Sequence, residues 1–419
     1  MAFTVQNMTR KEALIADLSR DVPHAPERVP TPPSDSVLAK FNQLGTQLWL
    51  DTGLLEEASK LWRLEMSALT TNNTLANQVV QTGIMDDVIK NAGRQIKEVE
   101  PGITAEDLVM DVAFVVNCHI ALRLVKAFDV LVSVELHPAI GYDIDKTLRY
   151  AQRYYAINPD RFIVKIPMTP EGFCAVARAR ADGIPINYTL GFSARQNYLA
   201  ALVSKPNYCN VFLGRLNAVV ADNHLGDGKN VGERVTLASQ AGVKQLRESD
   251  SSIPTHQIAA SMRSAEQMVS LAGVDVYTIP PKAVDEFYHH GYTADDITNR
   301  TGEHYDVQLA PDVDKSSVEV IWTIDDQFKK FAASLAARGG TNLTGDDLRQ
   351  ADRDFGTKLF HDLNAEEKAE VRAKGKIPDF ARWSGRVALD DLMTEAALQS
   401  FIIDQGALDG RIRGLVSGG

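Results

Sequence analysis

Phe162-Ile163-Val164-Lys165-Ile166-Pro167-Met168-Thr169 is the stretch on which the reading of this chain turns. Apolar and β-branched residues in an almost unbroken run fit a strand buried on both faces, as in a parallel sheet. One lysine sits in the middle of it. A buried ammonium is costly unless it is paired or gives up its proton. An amine that loses its proton readily is what imine formation needs, because the free amine attacks a ketone and becomes a Schiff base. The competing reading is an edge strand whose Lys165 reaches solvent along its apolar stem. The strand by itself does not decide between them.

Outward from this strand, short apolar runs alternate with longer amphipathic stretches. Eight such runs occur, at residues 48–51, 68–72, 130–136, 162–168, 184–190, 208–214, 256–261 and 276–279. Helical patterns lie between them. Residues 54–66 follow the first run, Val80, Ile84 and Val88 mark one face of the next stretch, and Leu108, Val112, Val115 and Val116 mark another. Residues 233–247 and 264–272 flank the seventh run, and the long connection from 72 to 130 is expected to hold two helices. Strands alternating with helices imply a parallel sheet, and eight repeats imply a closed (β/α)8 TIM barrel. The rival architecture, a doubly wound open sheet, wants a glycine-rich nucleotide turn after its first strand. Asp51-Thr52-Gly53 is no such turn.

Three segments are expected: an N-terminal extension over residues 1–44, the barrel over 45–337, and a helical C-terminal extension over 338–419. The first opens with a helix-like piece at 10–18 and continues through Pro23, Pro26, Pro30, Pro32 and Pro33 as extended chain. After Pro280-Pro281 the barrel pattern stops. Residues 320–337 are amphipathic, with Ile324, Phe328, Phe331 and Leu335 on one face, and helices are expected at 346–363 and 390–403. A helical cap or an oligomer-forming surface, such as that of a homodimer, is the expected use of the C-terminal part.

Bulk properties narrow the function classes. The chain has 419 residues, 44% hydrophobic, enough for a sizeable core. Its net charge of -11, with no long basic run, argues against nucleic acid as a partner. Cys118, Cys174 and Cys209 show neither disulfide nor metal spacing, and none of the nine histidines has ligand spacing. No metal and no cofactor is expected. Met1-Ala2-Phe3 leads into a polar segment without a signal-peptide core, and no uncharged apolar run approaches membrane-spanning length. The expectation is a cytoplasmic chain with no membrane partner.

In a barrel, the polar groups that do chemistry sit at the C-terminal ends of the strands. This chain places Asp51 and Asn72 at the ends of the first two runs, Glu135 in the third and Lys165 in the fourth. Asn187 and Thr189 share a face of the fifth, and Asn210 and Phe212 share one of the sixth, followed by Gly214-Arg215. Ser261 and Arg263 end the seventh. Each has a plain alternative. Asp51 and Asn72 could cap the helices that follow. Asn187 and Thr189 could be satisfied core groups, and both arginines could be solvated. Glu135 in an apolar strand is harder to dismiss, because buried carboxylates are rare without a partner. One or two such groups at seven consecutive strand ends is not what core packing produces.

Taken as a set, these motifs resemble the transaldolase family. The resemblance runs from about Leu48 to Pro281 and rests on Leu48-Trp49-Leu50-Asp51, Thr70-Thr71-Asn72, Val132-Ser133-Val134-Glu135, Ile163-Val164-Lys165-Ile166-Pro167, Ile186-Asn187-Tyr188-Thr189-Leu190, Phe212-Leu213-Gly214-Arg215 and Ala259-Ala260-Ser261-Met262-Arg263. Residues 320–337 fit the family's closing helix less specifically. The resemblance implies that Lys165 forms a Schiff base with the C2 carbonyl of a ketose phosphate. It implies that Glu135, through a water held by Thr189, moves protons for imine formation and hydrolysis. Asp51 would take the C4 hydroxyl proton as C3–C4 breaks. Asn72 and Asn187 would hold the dihydroxyacetone unit, and Arg215, Arg263 and Ser261 the phosphate. Asn210 and Phe212 would wall the site. The chain departs from the family in three ways. Asn73 stands where proline commonly follows, Asn210 where serine is common, and both termini are extended. The fructose 6-phosphate aldolase branch typically has glutamine and tyrosine at the positions of Glu135 and Phe212, which favours the transferase. The alternatives are a related class I aldolase or biosynthetic enzyme on another sugar phosphate, and a barrel that binds a phosphorylated ligand or pyridoxal phosphate.

Overall fold

The computed structural model describes residues 9–417 apart from His24. The expectations for residues 1–8, the N-terminal signal reading among them, lie outside the described residues, as do 418–419. Eight strands form: β1 (Gln47–Asp51), β2 (Met66–Thr70), β3 (Leu131–Glu135), β4 (Phe162–Pro167), β5 (Ile186–Thr189), β6 (Tyr208–Phe212), β7 (His256–Ala260) and β8 (Val276–Ile279). They pair in parallel in chain order, and β8 pairs back onto β1, so the sheet is a closed barrel. The open doubly wound sheet is thereby excluded. All six residues of β4 are buried, because the barrel interior lies on one face and helices cover the other.

Trp49 and Tyr208 show how the interior is filled below the site. Both lie two residues before a predicted site position, point inward by the strand's period of two, and meet edge-on with ring centroids 4.6 Å apart. Trp49 is fully buried. Their rings plug the barrel and leave the polar layer above them as its lining.

Several helices differ from the sequence expectation. The first barrel helix is Leu55–Leu61, not 54–66: Trp62 turns extended, and Met66 already begins β2. The long connection holds three helices rather than two, Asn73–Gln81, Asp86–Val99 and Ala105–Phe128. The last is the one described helix long and apolar enough to cross a membrane. Its most apolar window is 83% buried within the protein, and Glu106, Asp107 and Asp111 break the uncharged run. A helix to which the sequence reading assigned no structure occupies Ser36–Gln43, past the proline-rich span; Asp35 caps it through the amides of Val37 and Leu38. It buries Phe41 against Tyr277 and Phe287.

C-terminal to β8, the stretch 320–337 is helical only over Asp326–Ala337, since Asp325 caps its start through the Phe328 amide at 2.7 Å. The helix at 346 stops at Phe355, before Gly356. The last helix is much longer than expected, Leu389–Ser417, 29 residues, or about 43 Å at 1.5 Å per residue. It reaches the C-terminal ends of the barrel strands. Asp390 takes a bidentate pair from Arg195 at 2.7 and 2.8 Å, and Thr394 donates to the Leu190 carbonyl at 2.9 Å. Farther along, Gln405 accepts from Asn73 at 3.0 Å, Asp404 accepts from Thr74, and Arg411 meets Asp86 at 2.8 Å. This helix, rather than 326–337, reaches the barrel mouth.

Candidate active site

Register sets the site. In the β3–β4 ladder Glu135 is the partner of Lys165, and in the β4–β5 ladder Lys165 is the partner of Asn187. Three polar side chains from adjacent strands therefore stand in one layer inside the barrel. Thr189 pairs with Pro167 one step higher. Across the mouth Asp51 is the partner of Thr70.

Lys165 and Glu135 are each 5% exposed, which removes the snorkelling reading of the lysine. Lys165 Nζ lies 3.2 Å from Glu135 Oε2 and donates to the Thr71 carbonyl oxygen at 3.2 Å. The approach to Glu135 lacks hydrogen-bond geometry, so Oε2 keeps its accepting capacity. Burial pushes the Glu135 carboxyl up to about 7, against the pull of the Lys165 ammonium. Burial raises Asp51 as well, opposed by Lys165 and by the hydrogen bond from Thr70, at 2.6 Å. Asp51 thus caps no helix; its carboxylate faces the site. Thr70 in turn meets Thr278 hydroxyl to hydroxyl at 2.5 Å.

Asn72 does both jobs the sequence left open. Its Oδ1 caps Asn73–Gln81 by accepting from the Leu75 amide at 2.9 Å, and the residue also lines the central cavity. It lies beyond β2 rather than in it. Asn187 donates to Ser133 Oγ at 3.1 Å, while its own Oδ1 is buried without a partner. Thr189 Oγ1 is likewise buried and unpartnered. Asn210 Oδ1 accepts from the Gly191 amide at 3.2 Å, which leaves its amino group for the cavity. Asn73, at the position where the resemblance leads one to expect proline, donates to Leu136 O and Gln405 Oε1. An amide there ties the helix start to the last helix, which proline could not do.

The opposite end of the cavity is cationic. Helix Leu213–Asp222 follows β6 without a loop, so Arg215 lies in its first turn. Its guanidinium is 5.6 Å from the Phe212 ring and 5.8 Å from the Phe401 ring, and its Nη1 is buried without a partner. Burial and the nearby Arg263 charge pull it down to about 10. Gly214 is required here, since a Cβ would come within 2.2 Å of the Ser261 carbonyl oxygen. Ser261 itself has φ +61, a left-handed conformation that a non-glycine residue adopts at a cost and that recurs at functional sites.

Every residue that the sequence placed in the site, apart from Glu135 and Thr189, lines one cavity of about 160 Å³. A larger groove, about 1130 Å³, runs along the flank between Leu54 and Lys282, but it gathers no converging buried polar atoms. The smaller cavity is lined by Asn187 and Arg215, which carry unpartnered buried polar atoms. Sequence reading missed Ser133, Thr70 and Thr278, which the strand period of two could have found, and Phe401 and Lys376, which carry no local signal.

Comparison with known proteins bears on the same region. The family model described as Transaldolase/Fructose-6-phosphate aldolase matches residues 48–339. A transaldolase of Chlamydia pneumoniae is 30% identical over 227 residues, covering 52% of this chain and 67% of the relative. A transaldolase of Rhizobium leguminosarum is 29% identical over 261 residues (59% and 77%), and a probable transaldolase of Aquifex aeolicus 30% over 251 (59% and 91%). With the barrel closed and the match spanning every strand, the chain belongs to the transaldolase/fructose-6-phosphate aldolase family.

Proposed function

We propose that the protein is a transaldolase, a transferase that moves a dihydroxyacetone unit from a ketose phosphate, sedoheptulose 7-phosphate or fructose 6-phosphate, to an aldose phosphate, as in the pentose phosphate pathway. The observation that carries the proposal is the buried Lys165–Glu135 pair, set among unpartnered atoms of Asn187, Thr189 and Arg215. Buried polar atoms without partners are rare in folded proteins and mark places where a ligand completes the bonding.

Lys165 as free amine adds to C2 of the ketose, and loss of water from the carbinolamine leaves a protonated imine. Glu135, poised near neutrality, supplies and recovers the proton, with Thr189 holding the water between them. The C4 hydroxyl proton passes to Asp51, C3–C4 breaks, and its electron pair enters the imine to give an enamine. The first aldose phosphate then leaves. The enamine C3 attacks the aldehyde carbon of the acceptor, Asp51 returns its proton to the new hydroxyl, and hydrolysis frees Lys165. Asn72 and Asn187 hold the hydroxyls of the three-carbon unit, Asn210 and Phe212 wall it, and Arg215, Arg263 and Ser261 take the phosphate dianion. A cytoplasmic setting with small sugar phosphates as partners accompanies this reading.

Supplying fructose 6-phosphate with erythrose 4-phosphate tests it. Sedoheptulose 7-phosphate and glyceraldehyde 3-phosphate should form together, and little free dihydroxyacetone should appear without acceptor. Equally fast release of dihydroxyacetone in the absence of acceptor would favour the aldolase instead.

A further inference from the structure

We propose that Lys376, carried by the C-terminal extension, is a third cation of the phosphate-binding end and a determinant of specificity for phosphorylated sugars. The inference rests on the reading of Arg215, Arg263 and Ser261 as phosphate ligands and adds a residue from outside the matched family region, which ends at 339.

Lys376 lines the same cavity as Arg215, Ser261 and Arg263. No carboxylate among the described residues pairs with Lys376, Arg215 or Arg263, whereas three basic side chains near Lys376 in the chain are paired. Lys374 meets Asp379 at 3.8 Å, Arg382 meets Glu370 at 3.0 Å, and Arg386 meets Glu367. Three unpaired cations around one buried, unpartnered guanidinium atom suit a dianion.

The backbone that carries this exposed lysine is held in place. Asn223, just past the helix that carries Arg215, accepts from the Phe380 amide at 2.7 Å and donates to the Pro378 carbonyl at 3.0 Å. This pins the loop 375–379 to that helix from one side. From the other, Gly375 sets the chain direction at φ 77, ψ -141, a conformation open essentially to glycine. Phe401 of the last helix flanks Arg215 in the same cavity, so the extension forms one wall of this end.

Inorganic phosphate is the probe, titrated calorimetrically into wild type, Lys376→Ala, Lys376→Arg, Lys374→Ala and Arg263→Ala, each with a thermal melt. Lys376→Ala should weaken phosphate about fivefold, in the range of an exposed charge contact, and Lys376→Arg should recover most of it. The same variant should raise the KM for fructose 6-phosphate at unchanged kcat, and leave borohydride trapping of unphosphorylated dihydroxyacetone unaltered. Lys374→Ala should bind phosphate as wild type does. If Arg263→Ala loses phosphate while Lys376→Ala does not, Lys376 is no ligand and the enzyme reading stands. If Lys374→Ala matches Lys376→Ala, the effect is a diffuse field and the inference is overturned. If no variant changes phosphate affinity, the phosphate site itself falls.

Discussion

Burial lifts the Glu135 carboxyl to about 7, so at neutral pH it can both give and take a proton. In the proposed mechanism its protonated form, which predominates below that value, is the one that expels water from the carbinolamine. The rate of adduct formation at saturating ketose, read by quenched borohydride trapping, should therefore fall as pH rises through about 7. The same shift means the folded chain holds this proton more tightly than the unfolded one. Ionising Glu135 thus opposes folding, an effect that grows from the ordinary value of 4.5 up to about 7. Thr70 offers a second test. Thr70→Val removes the hydroxyl that donates to Asp51 and should lower kcat about tenfold, the size of one hydrogen bond to a charged group; Thr70→Ser should restore it. An unchanged kcat would release Asp51 from its assigned role. Inward-facing strand residues were readable because the period is two and the resemblance supplied roles. Asn72 was not readable as a single function, since a helix cap and a cavity wall demand the same residue type.

At the scale of elements, the last helix is held to the barrel by a buried pair, Arg195 with Asp390. Asp390→Ala leaves the guanidinium buried without its partner and should cost about 3–5 kcal/mol in chemical denaturation. A loss below about 1 kcal/mol would mean that this pair does not hold the helix to the barrel. Gly214→Ala forces a Cβ against Ser261, and its expected signature is a raised KM for phosphorylated ketose with a smaller loss in Lys165 trapping. Strands were legible because each is a short apolar run bounded by polar residues. Three helices after β8 were legible in place but not in extent. Gly406, Gly410 and Gly414 depress helix propensity across the second half of Leu389–Ser417, and burial of Leu408, Ile412 and Val416, with the Arg411–Asp86 pair, carries the helix onward. Asp325 likewise reads as an ordinary polar residue until its capping bond is seen.

At the scale of the molecule, an eightfold alternation of strand and helix made the barrel readable before any coordinate, because eight repeats with no nucleotide turn after the first strand favour a closed parallel sheet over an open one. What the extension does was not readable, because its contacts join residues more than 150 positions apart, as with Arg195 and Asp390 or Phe380 and Asn223. A chain ended after residue 339 would uncover the apolar groups that Leu392, Met393, Phe401 and Leu408 now bury against. It should aggregate or unfold without a cooperative transition, even though the matched family region is intact. A stable, fully active truncation would contradict the role given to the last helix. The central claim concerns one nitrogen, and the most direct measurement is borohydride reduction in the presence of fructose 6-phosphate followed by peptide mapping. The account predicts a single adduct on Lys165, absent from Lys165→Ala. An adduct on another lysine, or turnover of the ketose with no adduct at all, would contradict it.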